Sequence, residues 1–135
     1  MITSHVHNTI CFLWVILFFF LTALPAATAQ PVRAVYQSVA NSKAVFLVEV
    51  GNPAPASLII QHFHPQESRL IGTSPRADKI DDQSGNAKWF LKNVKAGIYP
   101  FSLSFNRKVA PETLRLIIRY REPQTGSFQE IVMRP

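Results

Sequence analysis

Two segments in the second half of the chain alternate between apolar and polar residues with a period of two. In the first segment, every second residue is large and apolar: Tyr99, Phe101, Leu103 and Phe105. In the second segment, Leu114, Leu116, Ile118 and Tyr120 lie at alternate positions, and three of the intervening or following positions are arginines: Arg115, Arg119 and Arg121. Successive side chains of a β-strand point to opposite faces, so each segment predicts a strand with one buried face and one wet face. Such strands are typical of antiparallel sheets.

Turn signals divide the rest of the chain into similar short segments. Gly51-Asn52-Pro53 is one example, because these residue types favour turns and interrupt strand ladders. The predicted strands cover residues 32–39, 44–50, 57–63, 68–72, 87–94, 98–105, 113–121 and 127–133, with a short edge strand near Lys79 and Ile80. Seven or eight short strands with regularly spaced turns predict an all-β protein, a sandwich of two antiparallel sheets.

The beginning of the chain has the composition of a secretory signal peptide. Residues 10–24 are almost wholly apolar, Pro25 follows, and Ala27-Thr28-Ala29 provides the small residues of a cleavage site. The pattern predicts a helical signal peptide over residues 1–29 and one mature domain over residues 30–135. A retained membrane anchor is the alternative, but an apolar run of this length spans only about 22 Å as a helix, less than the ~30 Å hydrocarbon core.

Charge and cysteine content narrow the class of protein further. The single cysteine, Cys11, lies in the predicted leader, so the mature domain would fold without a disulfide. All 14 Lys and Arg residues and all 8 Asp and Glu residues lie beyond Ala29, which gives the mature domain a net charge of +6. We expect an exported protein, periplasmic or extracellular, for which nucleic acid is a poor candidate partner.

Residues 91–101 resemble the end of strand E, the E–F turn and the start of strand F in immunoglobulin-like domains. Gly97 and Tyr99 stand at the positions of the tyrosine corner, and Phe101 stands where antibody-type domains have their second cysteine. Residues 45–63 are similar to the conserved-repeat sandwich domains of bacterial and archaeal surface proteins. The resemblance implies an immunoglobulin-like antiparallel β-sandwich, a fold that hosts adhesins, scaffolds, chaperones and enzyme modules alike. It therefore implies little about function.

The mature sequence offers no set of catalytic residues. Its only histidines are His62 and His64, no serine lies in a nucleophile-elbow motif, and there is no glycine-rich phosphate loop. We therefore expect a protein that is not an enzyme and has no cofactor.

His62 and His64 are the one pair of side chains suited to a transition-metal ion. Residues two apart on a strand share a face, so both imidazoles could approach one ion. Two ligands are too few for a protein metal site, however, and the mature chain has no cysteine to add. We favour the simpler interpretation that both histidines face solvent at a strand end before Pro65.

A polar segment with three aspartates is a second candidate cation site. The carboxylates of Asp78, Asp81 and Asp82 could bind calcium, although their spacing does not match the EF-hand loop. The residues that follow, Gln83-Ser84-Gly85-Asn86, are more simply a tight turn in which Gly85 adopts positive φ. We favour the turn.

Basic residues on the polar side of the predicted strands are the most suggestive surface feature. One patch is a stripe of three arginines, Arg115, Arg119 and Arg121. Such a stripe would attract an acidic protein, an anionic glycan or lipid headgroups. Lys88 and Lys92 flank Phe90 in a similar way, but we expect that strand in the other sheet and hence a separate patch. The alternative is a solvated face whose charges discourage edge-to-edge aggregation.

Together these features predict an exported, non-enzymatic structural or binding protein. It would dock on a partner protein in the cell envelope or outside the cell, or assemble with itself. One alternative is a module that binds polysaccharide or another anionic surface, which needs exposed aromatic platforms such as Trp89 and Tyr120. The other is a periplasmic metal-handling protein that uses His62 and His64. Contact with a membrane is expected only through an uncleaved leader.

Overall fold

The computed structural model describes residues 30–135, which form nine β-strands and one short 3-10 helix. The strands are β1 (Val32–Ala40), β2 (Lys43–Val50), β3 (Ser57–Phe63), β4 (Leu70–Ser74), β5 (Lys79–Asp81), β6 (Asn86–Lys92), β7 (Gly97–Phe105), β8 (Arg115–Arg121) and β9 (Phe128–Met133). The predicted count of seven or eight is corrected to nine, because the edge segment β5 pairs with β6 as a strand of its own. The predicted signal peptide, signal helix and anchor fall on residues 1–29, outside the described residues.

The strands form two antiparallel sheets. The four-stranded sheet has the order β1-β2-β7-β4, and the five-stranded sheet has the order β5-β6-β3-β8-β9. Their inner faces pack together over a hydrophobic core that includes Phe46, Trp89, Phe101 and Ile118. The all-β prediction with two antiparallel sheets is confirmed, and this packing is that of a β-sandwich. Among residues 30–135, no helix has the length and apolar character needed to span a membrane.

The alternating segments bury the side chains that their period predicted. Along β7, Phe101, Leu103 and Phe105 are buried, and the two serines between them lie on the wetter side. Along β8, the apolar residues at alternate positions are buried and the arginines point away from the core. The period of two in the sequence therefore correctly predicts which side chains of β7 and β8 face the core, without information on how the strands pair.

Most strand boundaries differ from the predictions by one or two residues, and at the start of β4 and of β8 a local turn occupies the expected end. Ser68 donates its N–H to the Pro65 carbonyl at 3.0 Å, so β4 begins only at Leu70. Thr113 belongs to the 3-10 helix Pro111–Thr113, in which its N–H and its hydroxyl both donate to the Ala110 carbonyl.

Strand β3 lies in the middle of the five-stranded sheet, between β6 and β8. Ile60 pairs with Trp89 on one side and with Ile118 on the other. Strand β6, which carries Lys88, therefore lies in the same sheet as the arginine-bearing strand β8. The prediction that these strands belong to different sheets is wrong, because the pairing of β3 with both joins segments far apart in the sequence.

The turn between β5 and β6 holds the end of β3 in place. Gly85 has a φ of +61°, as predicted, and its carbonyl accepts the His64 N–H at 2.9 Å. The carboxylate of Asp81 accepts the N–H groups of Gln83 and Ser84 at 3.0 and 3.2 Å. Hydrogen bonding by the Ser84 side chain, followed by that of the Ser84 N–H, is the main reason why the pKa of Asp81 lies below its ordinary value. Asp81 thus stabilises the turn, which supports the favoured interpretation of this segment.

Tyr99 fixes the connection that carries the chain from the five-stranded sheet to the four-stranded sheet. Its hydroxyl donates to the Lys95 carbonyl at 2.8 Å and accepts the Lys95 N–H at 3.2 Å. These two bonds join the start of β7 to the preceding turn.

Candidate functional site

The outer face of the five-stranded sheet, which we call the basic face, carries six of the fourteen basic residues of the chain. These residues are Lys79 on β5, Lys88 and Lys92 on β6, and Arg115, Arg119 and Arg121 on β8. The inward neighbours on β6 and β8 are buried in the core, so the basic side chains point to the opposite side. The arrangement merges the two predicted patches into one surface.

Apolar side chains form the floor of the basic face. Ile59 and Phe63 lie on β3, and Ile117 lies on β8 between two arginines. Ile117 is only 7% exposed, whereas Phe90 on β6 is 47% exposed. Long basic side chains shield apolar surface with their methylene groups while their charges stay in water. The basic face therefore combines positive charge with apolar area.

Two arginines are held in defined positions on this face. Arg119 donates through Nε to Glu130 Oε2 at 2.7 Å and through Nη1 to Gln61 Oε1 at 3.2 Å. The guanidinium carbon of Arg115 lies 4.5 Å from the centroid of the Phe63 ring, in cation–π contact. These contacts hold both guanidinium groups in defined orientations.

The carboxylates on this side of the sheet already have partners within the domain. Glu130 binds Arg119, and Asp81 accepts backbone N–H groups. Within residues 30–135, no carboxylate lies within 4.0 Å of a basic group of Lys88, Lys92 or Arg121. The basic face therefore presents net positive charge to the solvent.

Strand register places these side chains close to one another. Phe90 pairs with Ile59, and Ile59 pairs on its other side with Arg119. Adjacent strands lie about 4.8 Å apart, so the backbones at Phe90 and Arg119 are separated by about 10 Å. Two exposed apolar residues on β9, Phe128 and Val132, extend the surface to the sheet edge at 62% and 53% exposure.

The two histidines occupy a different place from the one predicted. His62 has no exposed surface and His64 is only 6% exposed, so the expectation that both face solvent is wrong. His62 follows Leu58 and Ile60 on the inner face of β3, where the same period of two carries it into the core. The His62 ring stacks on Phe46 with centroids 5.8 Å apart.

Four buried polar atoms around His62 have no hydrogen-bond partner among the described residues. They are Tyr36 Oη, His62 Nδ1, His62 Nε2 and His64 Nδ1. The ring centroids of Tyr36 and His62 are 6.0 Å apart, and those of His62 and His64 are 6.3 Å apart. Buried polar atoms without partners are rare because each one loses its bonds to water. We call these three residues the Tyr–His cluster.

Burial controls the protonation of the Tyr–His cluster. It lowers the pKa of His62 to about 3, with a further contribution from His64. It also lowers the pKa of His64, against the opposing effect of Asp82, and raises the pKa of Tyr36. All three side chains are therefore neutral near pH 7. Within residues 30–135, no three His, Cys, Asp or Glu side chains are grouped closely enough to bind a metal ion.

A cleft of about 410 Å³ lies between residue 31, Pro53 and the loop that joins β8 to β9. Its lining is mostly neutral amide and hydroxyl side chains, and its one carboxylate is Glu122. That carboxylate accepts the N–H groups of Gln124 and Thr125 at 3.0 and 2.7 Å, and the bond from Thr125 is the main cause of its lowered pKa. Of the candidate binding residues that the sequence suggested, the cleft is lined by Tyr120, which is only 3% exposed.

Comparison with protein-family models, with curated proteins and with solved structures finds no match to this chain. The site must therefore be judged on its own geometry. The sequence identified the basic residues of β6 and β8 but missed the contributions of Ile59, Phe63 and Lys79. It also missed Tyr36 beside the histidines, because no local signal links β1 to the end of β3.

Proposed function

We propose that this chain is an exported, non-enzymatic binding protein that docks on a partner protein through the basic face. The observation that carries the proposal is the grouping of six basic side chains around an apolar floor on one sheet face. Arginine and aromatic side chains are enriched in protein interfaces, where they supply both apolar area and directed hydrogen bonds. The preferred partner surface is acidic, since unpaired cations steer and orient such a partner.

A matched pair of charge-reversal variants tests the docking surface. Lys88→Glu/Arg115→Glu places two acidic residues on the basic face. Arg33→Glu/Lys43→Glu makes the same charge change on the outer face of the four-stranded sheet. Envelope extract is passed over each immobilised protein, and bound proteins are quantified by mass spectrometry at two salt concentrations.

We expect the wild type and the control variant to retain the same proteins, with retention falling as salt rises. The basic-face variant should lose them. If the two variants retain the same proteins to the same extent, the basic face is not the docking surface. Circular dichroism of each variant establishes that the fold is intact.

The proposal that the protein is exported rests on the apolar run of residues 10–24 and on the small residues that precede Gln30, which together resemble a signal peptide. The intact mass of the protein recovered from the periplasm or the culture medium measures the cleavage site. A chain that begins at Gln30 is expected, and the full 135-residue mass would contradict cleavage.

The immunoglobulin-like assignment remains part of this proposal. In its favour, Tyr99 bonds to the backbone of Lys95 as a tyrosine-corner residue does, and the turn before it joins the two sheets. However, β2 pairs with β7 and β3 pairs with β6. In the constant-type immunoglobulin order, strand B pairs with strand E and strand C pairs with strand F. If β2, β3, β6 and β7 correspond to strands B, C, E and F, this protein instead pairs B with F and C with E.

Binding of polysaccharide through aromatic platforms is less well supported. Trp89 is 1% exposed and donates its indole N–H to the Pro75 carbonyl at 3.0 Å, and Tyr120 is 3% exposed. Both rings are core residues and cannot stack on a sugar. An anionic glycan or lipid surface would have to bind through the same basic side chains as an acidic protein. Anionic vesicles and polyanions are therefore added as competitors when the retention of proteins by the variants is measured.

A further inference from the structure

The Tyr–His cluster has no structural explanation in the packing around it. The core side of β3 is otherwise aliphatic, and an imidazole with two unpaired nitrogens is unfavourable there. Three neighbouring side chains contribute all four unpaired atoms: Tyr36, His62 and His64. Imidazole nitrogen and phenol oxygen are donors for late first-row metal ions, and three protein donors are enough for a zinc or copper site.

We propose that Tyr36, His62 and His64 bind one copper ion inside the sandwich. This site is separate from the basic face and does not rest on the proposed docking function. It adds a third donor, Tyr36, which residues 62 and 64 alone did not provide.

The ring spacings agree with a shared ion. An ion about 2.1 Å from an imidazole nitrogen lies about 3.2 Å from the ring centroid, so two imidazoles that share it have centroids up to about 6.4 Å apart. The His62 and His64 centroids are 6.3 Å apart, just within this limit, and their ring planes are inclined by 26°. A shared ion at this spacing would have a nearly linear angle between its two imidazole nitrogens, which suits tetragonal copper and not tetrahedral zinc. The phenol oxygen of Tyr36 projects further from its ring, so its 6.0 Å centroid separation from His62 is also within reach.

The surroundings suit a permanently bound ion. Phe46 and Phe105 lie against His62 and exclude water from it, with centroids 5.8 and 6.4 Å away. His64 lies at the end of β3, where its slight exposure offers a path from solvent. Binding requires neutral imidazoles, which burial already provides. The phenol proton of Tyr36 is released to the solvent when its oxygen coordinates.

The test uses protein expressed from the full sequence and stripped of metal with a chelator. It is titrated separately with copper(I) under anaerobic conditions, copper(II) and zinc(II), and bound metal is counted by mass spectrometry after gel filtration. We expect one copper ion per chain. Tyr36→Phe removes only the phenol oxygen and should weaken binding at least about tenfold. His62→Phe should abolish binding.

Two controls make the outcome decisive. His5→Ala/His7→Ala removes the other two histidines of the full-length chain, which are present only while the leader is uncleaved, and should leave binding to that form unchanged. Coordination by Tyr36 should add a phenolate-to-copper charge-transfer band that Tyr36→Phe lacks. The proposal is overturned if the folded wild type takes up no stoichiometric copper, or if Tyr36→Phe binds as tightly as wild type. The comparison of Tyr36→Phe with the wild type remains a valid test even if His62→Phe does not fold. Failure here leaves the docking test unaffected, because that test measures a different surface.

Discussion

His62 stands in the core at a position where the preceding inward residues of β3, Leu58 and Ile60, are aliphatic. Its ring packs against those of Tyr36, Phe46, His64 and Phe105, and among residues 30–135 the titratable rings in this group are a phenol and a second imidazole. Neither offers the negative charge that would stabilise an imidazolium. The native state of the metal-free protein therefore requires His62 to be neutral.

Acid should destabilise the metal-free protein through this residue. In the folded protein, burial lowers the pKa of His62 to about 3, whereas in the unfolded chain its pKa is about 6.5. Between these two pH values, the unfolded chain binds a proton at this residue and the folded protein does not. Above the pKa of the unfolded chain, His62 is neutral in both states and does not change the free energy of unfolding with pH. As the pH falls from there towards 3, the free energy of unfolding should decrease by about 1.4 kcal/mol per pH unit.

Urea unfolding of chelator-treated protein at several pH values between 7 and 4 measures this slope. The matched variant is His62→Phe, which keeps a planar ring and has no titratable group, so its stability should depend less on pH. Equal slopes in the two proteins would show that other groups cause the acid sensitivity.

At the scale of elements, the β5–β6 turn and the end of β3 depend on each other. A Cβ atom on Gly85 would lie 2.2 Å from the His64 carbonyl oxygen, and the φ of +61° is itself unfavourable for other residues. The glycine therefore permits both the turn and the close approach of the strand. Through the His64 backbone, the turn also helps to position the Tyr–His cluster.

Gly85→Ala should destabilise the domain by more than about 2 kcal/mol, because backbone strain and a steric clash add together. Gly126→Ala is the control, since Gly126 has a φ of +70° and no atom within 4 Å of the added Cβ. It should lose only about 1 kcal/mol from backbone strain. Thermal and urea unfolding of both variants measure the difference, and equal losses would mean that the close contact at His64 relaxes.

For the molecule as a whole, the basic face keeps like charges together at some expense in stability. Lys79 and Lys88 are direct cross-strand neighbours on β5 and β6. Like charges in such pairs repel each other, whereas opposite charges attract.

Lys79→Glu should raise the free energy of unfolding by about 0.5 kcal/mol, because it turns repulsion into attraction. The same change should weaken docking, since it removes positive charge from the basic face. Lys43→Glu, on the four-stranded sheet, provides the control and should leave docking unchanged. Chemical unfolding and the retention assay measure the two effects. A variant that gains stability and keeps full docking would place Lys79 outside the docking surface.

The sequence by itself determined most strands of this protein and, for β7 and β8, which side faces the core. That information is local. Side chains alternate between the two faces of a strand at every residue, and the positive φ of Gly85 is required by the turn that contains it. Only the tertiary structure decided which strands are neighbours. The pairing of β3 with both β6 and β8 joined Lys88 and Arg115 on one face, and the packing of β1 over β3 brought Tyr36 to His62. Such contacts depend on how the whole core fills, and no short-range pattern encodes them.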